Sequence, residues 1–294
     1  MMVITTLYDL TISPFVEFAF MRRALVGAIA LSLGAGPIGV FLMLRRMSLV
    51  GDAMAHAILP GAALGYLIAG LSLGFMTAGG LIAGFVVALL AGLVTRITVL
   101  KEDAALASFY LISLAGGVVL VSLRGSNVDL LHVLFGSVLA LDDPTLLLLA
   151  ATATISLAAL AVLYRPLVLE CVDPLFLRTV SQSGSATHLG FLALVVLNLV
   201  AGFHALGTLL SVGLMMLPAF AARFWSTTIE GMIGCATGIG ISSSAIGIIV
   251  SYHLSTPTGP TIILTAGVMY LISLLIGLKN GLLLRLIPRK HFAA

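Results

Sequence analysis

The sequence predicts an all-α membrane protein with a single transmembrane domain, residues 1–294, that crosses the bilayer eight or nine times. Hydrophobic residues make up 61% of the chain, and charged residues make up 9%, against roughly 25% in soluble domains. The mean hydropathy is +1.23. The apolar residues are grouped in segments of about 20, the length that a helix needs to cross the hydrocarbon core.

Nine apolar segments follow one another along the chain. They cover 24–44, 48–70, 75–95, 104–123, 144–163, 187–203, 205–222, 232–253 and 260–278. The sixth and seventh are short and adjoin at His204, so they form either two spans or one long or broken helix. Residues 1–20 contain Asp9 and Glu17 and lack the pattern of a cleaved signal, which predicts an external interfacial segment.

Basic residues predict the orientation of the chain. With nine spans, 11 of the 14 lysines and arginines fall in loops on one side. Only Arg22, Arg23 and Arg124 lie opposite. The positive-inside rule makes the basic side cytoplasmic, with the N-terminus external and the C-terminus cytoplasmic. An eight-span arrangement divides these charges between the two sides, which favours nine.

The longest polar interruption, 165–186, falls on the predicted cytoplasmic side. Asp173 followed by Pro174 is typical of a helix start, with an acidic N-cap and proline at the first helical position. A short helix through Arg178 is either an ordinary loop helix or a docking element for a cytoplasmic partner. The sequence contains no glycine-rich phosphate-binding loop of the P-loop type, so any ATP must be bound by another chain.

Asp52 and His56 are the most informative residues because both fall inside the second apolar segment. Their spacing of four places both side chains on one helix face. If the helix begins at Ser48, His56 lies roughly 12 Å along it, near the middle of a core about 30 Å thick. Ionisable groups at that depth are costly, and they usually line a pathway or bind something. A carboxylate and an imidazole are also a ligand pair for a first-row divalent metal.

One chain supplies only two such ligands, which is too few for a closed transition-metal site, whereas a two-fold dimer would supply four. The alternative is that Asp52 pairs with Arg45 or Arg46 and that His56 hydrogen-bonds inside the bundle.

Two prolines predict helix breaks of the kind found at transporter sites. Pro60 has no N–H for the carbonyl of His56, which is left free. Pro218 interrupts an apolar segment in the second half of the chain. Gly61 and Gly65 are predicted to let the same helix pack closely against a neighbour.

Other polar residues also have candidate roles. Glu102 and Asp103 at the start of the fourth segment favour a role in helix capping. His204 is either an entry ligand or a turn residue at the interface. The acids on the predicted external side either attract cations or form a solvated rim: Asp129, Asp142 and Asp143.

Residues 45–61, RRMSLVGDAMAHAILPG, closely resemble a signature of the permease subunit of bacterial ABC importers for zinc, manganese or iron, the ABC-3 family. The similarity covers roughly residues 24–278. It continues through 119–123, 129–130, 134–139, 173–176, 207–223 and 257–260.

The resemblance implies a multi-pass protein of the bacterial plasma (inner) membrane that forms a homodimer with a second copy. It implies a cytoplasmic ABC ATPase dimer that binds ATP and an external solute-binding protein that delivers metal, with no resident cofactor and no nucleic acid. The metal pathway would use Asp52 and His56. Coupling to the ATPase would use the segment containing Glu170, Asp173, Pro174 and Arg178. The chain itself would catalyse no covalent reaction.

His204 favours zinc as the cargo, because this position in the family more often carries a residue that is not a ligand. Manganese or iron is the alternative within the family. An ion-coupled secondary transporter is a second class, and it predicts an internal repeat with broken helices. A third class is an intramembrane enzyme using Asp52 and His56, but it lacks a third inward-facing ligand or a nucleophile.

Overall fold

Ten α-helices form the part of the chain that the computed structural model describes, which is residues 10–70, 72–123, 138–172, 184–279 and 281–283. The helices are α1 Ser13–Glu17, α2 Ala19–Leu44, α3 Ser48–Ala69, α4 Leu73–Ile97, α5 Glu102–Leu123, α6 Asp143–Val172, α7 Gly184–Leu206, α8 Thr208–Ala222, α9 Ile229–Leu254 and α10 Thr258–Ile276. Within these residues, eight helices are long and apolar enough to cross a membrane. The predicted all-α polytopic class is confirmed.

The two segments that adjoin at His204 are separate helices, α7 and α8. Gly207, between them, has φ +90°, a conformation that glycine adopts without steric cost. A Cβ atom added to Gly202 would lie 2.4 Å from Ser211 Oγ, so α8 folds back along α7. The described residues thus contain eight helices of spanning length and one shorter apolar helix, α8. At 15 residues, α8 is about 22 Å long, shorter than the core, and the residues flanking Gly207 are buried.

Small residues set how closely the helices pack. The central helices α2 and α7 are mostly buried, whereas α5 is mostly exposed. A Cβ added to Gly39 of α2 would lie 1.8 Å from the Met215 carbonyl oxygen of α8. Gly61 of α3 and Gly79 of α4 approach each other equally closely, since a Cβ on either would lie 2.1 Å from the other's carbonyl oxygen. The predicted close packing at Gly61 is confirmed.

The predicted helix breaks at Pro60 and Pro218 are wrong, because α3 and α8 each continue through their proline. Pro60 cannot donate to the His56 carbonyl, whereas the adjacent carbonyl of Ala57 has a partner on a neighbouring helix. Ser113 Oγ of α5 donates to the Ala57 carbonyl at 3.1 Å. Gly117 of α5 lies against the Pro60 ring, where an added Cβ would be 2.7 Å from Cγ.

The predicted loop 165–186 is wrong at both ends. Helix α6 continues through Pro166 to Val172, and α7 begins at Gly184. The charge of Glu170 does not end α6, because Arg45 Nη2 lies 2.8 Å from its Oε1. Polar residues at the end of an apolar run can therefore extend a helix when another helix supplies the counter-charge.

Residues 1–9 of the predicted segment 1–20 lie outside the described residues, and in the rest α1 covers Ser13–Glu17 and α2 starts at Ala19. Arg22 Nη1 donates to the carbonyls of Phe15 at 3.2 Å and Val16 at 2.7 Å. These bonds satisfy carbonyl groups that the end of a short helix leaves without partners. They join α1 to the start of α2.

Candidate functional site

Asp52 and His56 lie one turn apart on the same face of α3, as their spacing predicts. Asp52 Oδ1 and His56 Nε2 are 3.7 Å apart, and 64% of the Asp52 side chain and 32% of the His56 side chain are exposed. Arg45 pairs with Glu170, and no ion pair joins Asp52 to Arg46 within the described residues. The alternative in which an arginine neutralises Asp52 is therefore wrong for this structure.

A cleft between α3 and α5 opens beside this pair. Its volume is about 140 Å³. The residues that line it are Leu49, Val50, Asp52, Ala53, Asp103, Leu106, Ala107 and Tyr110. The Tyr110 ring is stacked on the His56 ring, with centroids 6.1 Å apart and an interplanar angle of 30°. Asp103 and Tyr110 of α5 therefore line the same cleft as Asp52 of α3.

Asp103 is the cleft residue that the sequence interpretation missed, because an acid in the first turn of a helix was assigned to capping. Asp103 does lie in the first turn of α5. Its position in the cleft follows from the helical repeat, since residues 103, 106, 107 and 110 share one face. That spacing was available in the sequence, but only the packing of α3 against α5 shows what the face contacts.

The carboxylates of Asp52 and Asp103 and the phenol of Tyr110 give the cleft oxygen atoms that suit a divalent cation. His56 Nδ1 is buried and has no hydrogen-bond partner within the described residues. The same residues contain no group of three histidine, cysteine or acidic side chains arranged to hold a metal ion. One chain thus presents an incomplete ligand set, open on the side where Asp52 is exposed.

His204 lies apart from the cleft, in the last turn of α7. Its Nδ1 is 3.1 Å from the Val200 carbonyl, its ring meets the edge of Phe203, and its Nε2 is buried without a hydrogen-bond partner in the described chain. It joins no described group of three metal-ligating side chains. The structure therefore does not bring His204 together with Asp52 and His56.

The acids near the start of α6 have partners. Asp143 Oδ1 lies 2.9 Å from Arg23 Nη2. Asp142 precedes the helix and accepts the Thr145 N–H at 3.1 Å. Hydrogen bonds from the Thr145 hydroxyl and N–H lower the pKa of Asp142. These contacts match a capped, solvated rim, and Asp129 lies outside the described residues.

The predicted coupling residues divide between the described and undescribed parts of the chain. Asp173, Pro174 and Arg178 lie outside the described residues. Glu170 lies in α6, where 13% of its side chain is exposed and where it pairs with Arg45. Glu170 is therefore part of a contact between helices.

A bundle with eight helices long and apolar enough to cross a membrane, counted over the described residues, defines the class of polytopic membrane proteins. The chain belongs to the ABC 3 transport family, whose model matches residues 17–277. It is similar to the manganese import system permease protein ScaB of Streptococcus parasanguinis, with 32% identity covering 90% of this chain and 93% of the relative. It is also similar to a probable iron transport system membrane protein of Haemophilus influenzae, with 31% identity over 91% and 97% of the two chains.

A solved structure shares the fold. PsaBC from Streptococcus pneumoniae in complex with Fab matches with a TM-score of 0.80 and 30% identity, covering 92% of this chain and 96% of that one.

Proposed function

We propose that this chain is the membrane permease subunit of an ATP-driven importer of a divalent metal, with manganese as the favoured cargo. Asp52 and His56 would contact the metal on its way through the membrane. The observation that carries the proposal is their geometry. They form an acid–imidazole pair on one helix face, with Asp52 lining the cleft and no neutralising cation among the described residues.

The zinc interpretation loses its support. It depended on His204, which lies apart from the cleft. The Streptococcus parasanguinis relative is named for manganese, and the Haemophilus influenzae relative is named for iron. Oxygen-rich sites suit manganese, and the cleft adds the Asp103 carboxylate to that of Asp52. Zinc and iron are therefore competitors to be measured against manganese.

The incomplete ligand set favours a two-fold homodimer in which two clefts share the cargo. The half-exposed Asp52 and the mostly exposed helix α5 would face the second copy. Metal would arrive from an external solute-binding protein, with the N-terminus external and the C-terminus cytoplasmic. A separate ATPase would dock at the segment containing Asp173, Pro174 and Arg178. The secondary-transporter alternative predicted broken helices, whereas α3 and α8 are continuous.

Uptake in reconstituted vesicles tests the proposal. The chain is reconstituted with its ATPase subunit and binding protein, and uptake of radioactive manganese and zinc is measured for the wild type, Asp52→Asn and His56→Ala. We expect manganese uptake to exceed zinc uptake and to fall at least tenfold in both variants, because each loses one of few ligands. Asp143→Asn, which removes an acid paired with Arg23, serves as the matched control and should retain uptake.

A different experimental result would contradict each part of the proposal. Wild-type uptake in either variant would disprove the assignment of Asp52 and His56. Uptake that proceeds without the ATPase would disprove the ATP-driven mechanism. Zinc uptake that exceeds manganese uptake at equal concentration would restore the zinc interpretation. His204→Ala should change neither rate by more than about twofold, since it lies outside the cleft.

A further inference from the structure

Four charged or polar side chains form a connected network at one end of the bundle. Arg45 Nη2 lies 2.8 Å from Glu170 Oε1 and 2.5 Å from His188 Nδ1. His188 Nε2 lies 2.8 Å from Glu102 Oε1. The guanidinium of Arg45 lies over the Phe191 ring, with Cζ 5.0 Å from the centroid, a favourable cation–π arrangement. We call these four residues, Arg45, Glu102, Glu170 and His188, the Arg45 network.

The chemistry of the network assigns the tautomer of His188. Arginine is a donor only, so the Nδ1 atom that meets Arg45 must be the acceptor. The other ring nitrogen, Nε2, lies 2.8 Å from Glu102 Oε1, a contact that is not aligned as a hydrogen bond. His188 thus contacts Arg45 through one ring nitrogen and Glu102 through the other, and glutamine also offers one acceptor and one donor whereas leucine offers neither.

The network joins the ends of four helices that carry different parts of the molecule. Arg45 follows α2 and precedes the start of α3 at Ser48, and Glu102 begins α5. These two connections lead to Asp52 and Asp103 of the cleft. Glu170 near the end of α6 and His188 near the start of α7 flank the segment 173–183.

The side chains of the Arg45 network are largely buried, but some of their polar atoms have no hydrogen-bond partner. Only 8% of the Arg45 side chain and 17% of the His188 side chain are exposed. Arg45 Nη1, Glu102 Oε1 and Glu170 Oε2 are nevertheless buried without a hydrogen-bond partner among the described residues. Native structures rarely leave such groups unpaired without a reason. A spare donor and a spare acceptor allow the same residues to form a second arrangement.

We propose that Arg45 and His188 are positioning residues for transport, linking the ends of α6 and α7 to the helices α3 and α5 that form the cleft. The link rests on the proposed function, because it transmits movement of the α6 and α7 ends to the metal pathway. Neither residue touches the cleft. Their loss should therefore separate ATP hydrolysis from metal movement and leave metal binding intact.

The test measures manganese uptake and ATP hydrolysis in the same vesicles, which contain the permease–ATPase complex and its binding protein. We expect Arg45→Gln and His188→Leu to raise the number of ATP molecules hydrolysed per manganese ion at least tenfold. Arg46→Gln is the matched control for the arginine, because Arg46 is adjacent and exposed. His188→Gln, which keeps one donor and one acceptor, should stay within twofold of the wild type.

A purely structural role gives a different result. It would lower uptake and hydrolysis together, in proportion to folded protein, and leave their ratio unchanged. That outcome, in variants whose manganese binding in detergent is normal, would overturn the proposal. If Arg45→Gln does not fold, the two His188 variants decide the question. A wild-type complex that moves no manganese would instead disprove the proposed function itself.

Discussion

Two carboxylate–imidazole pairs in this molecule have opposite surroundings. Asp52 and His56 are on one helix, 3.7 Å apart, and Asp52 is largely exposed. Glu102 and His188 come from two helices, are 2.8 Å apart and are more deeply buried. Arg45 and Glu170 extend the second pair into a network, whereas no arginine or lysine pairs with the first within the described residues.

The Asp52–His56 pair is available to bind a ligand, whereas the Glu102–His188 pair holds helices together. A local pair at i, i+4 needs no tertiary contact to form, so its ligands remain free for a cation. A pair assembled from distant helices is stable only when its charges are compensated, because unpaired buried charges are costly. The same two chemical groups therefore serve different purposes in the two places.

The largest expected difference in stability lies between Arg45→Gln and Asp52→Asn. Removing Arg45 leaves the buried Glu170 without its counter-charge, which should lower the free energy of unfolding by about 3–5 kcal/mol. Asp52→Asn changes an exposed side chain that, among the described residues, pairs only with His56, so the change should stay within about 0.5 kcal/mol. Denaturant unfolding in mixed micelles measures both.

Arg46→Gln is the control for the loss of an arginine at this end of the bundle, and it should behave like Asp52→Asn. Equal losses of stability for Arg45→Gln and Asp52→Asn would remove the distinction between the two pairs.

A smaller effect is expected at two adjacent glycines of α5, the helix that closes the cleft. A Cβ on Gly117 would be 2.7 Å from Pro60 Cγ, whereas a Cβ on Gly116 would have nothing within 4 Å. Gly117→Ala should destabilise the protein by about 1–3 kcal/mol through overpacking against a rigid ring. Gly116→Ala should be neutral or stabilise by up to about 1 kcal/mol, because alanine favours the helix.

Thermal unfolding and manganese uptake, measured on both glycine variants, test this contrast. Gly117→Ala should also reduce uptake, since it displaces α5 from α3 at the cleft. Similar behaviour of the two variants would mean that the approach of Gly117 to Pro60 is not required.

The smallest effect concerns Asp142, a carboxylate whose partners lie within one turn of chain. Because its pKa is lowered in the folded state, it contributes stability above the pKa of the unfolded chain. That contribution is lost as the pH falls through the folded-state pKa. The melting temperature of the wild type should therefore drop more between pH 5 and pH 3 than that of Asp142→Asn, which keeps an N-cap side chain without an acid. Parallel melting curves for the two proteins over this range would contradict the assignment.

The fold was largely predictable because each membrane span is a continuous apolar segment of the sequence. The predictions failed where a contact between helices overrides local sequence. Pro60 and Pro218 lie inside continuous helices, and α7 and α8 separate at Gly207. The prediction also ended the fifth span before Glu170, since an acid at a helix end looks like a loop until Arg45 is seen beside it.

The sequence by itself determined the membrane class, the order of the helices and the Asp52–His56 pair, because spans and i, i+4 faces depend on residues close along the chain. Only the tertiary structure decided that Asp103 and Tyr110 share the cleft, that His204 lies apart from it, and that Arg45 binds Glu170. Arg45 and Glu170 are 125 residues apart in the chain. No local pattern encodes such a pairing, which depends on how four helix ends meet and on the need to neutralise charge where water is excluded.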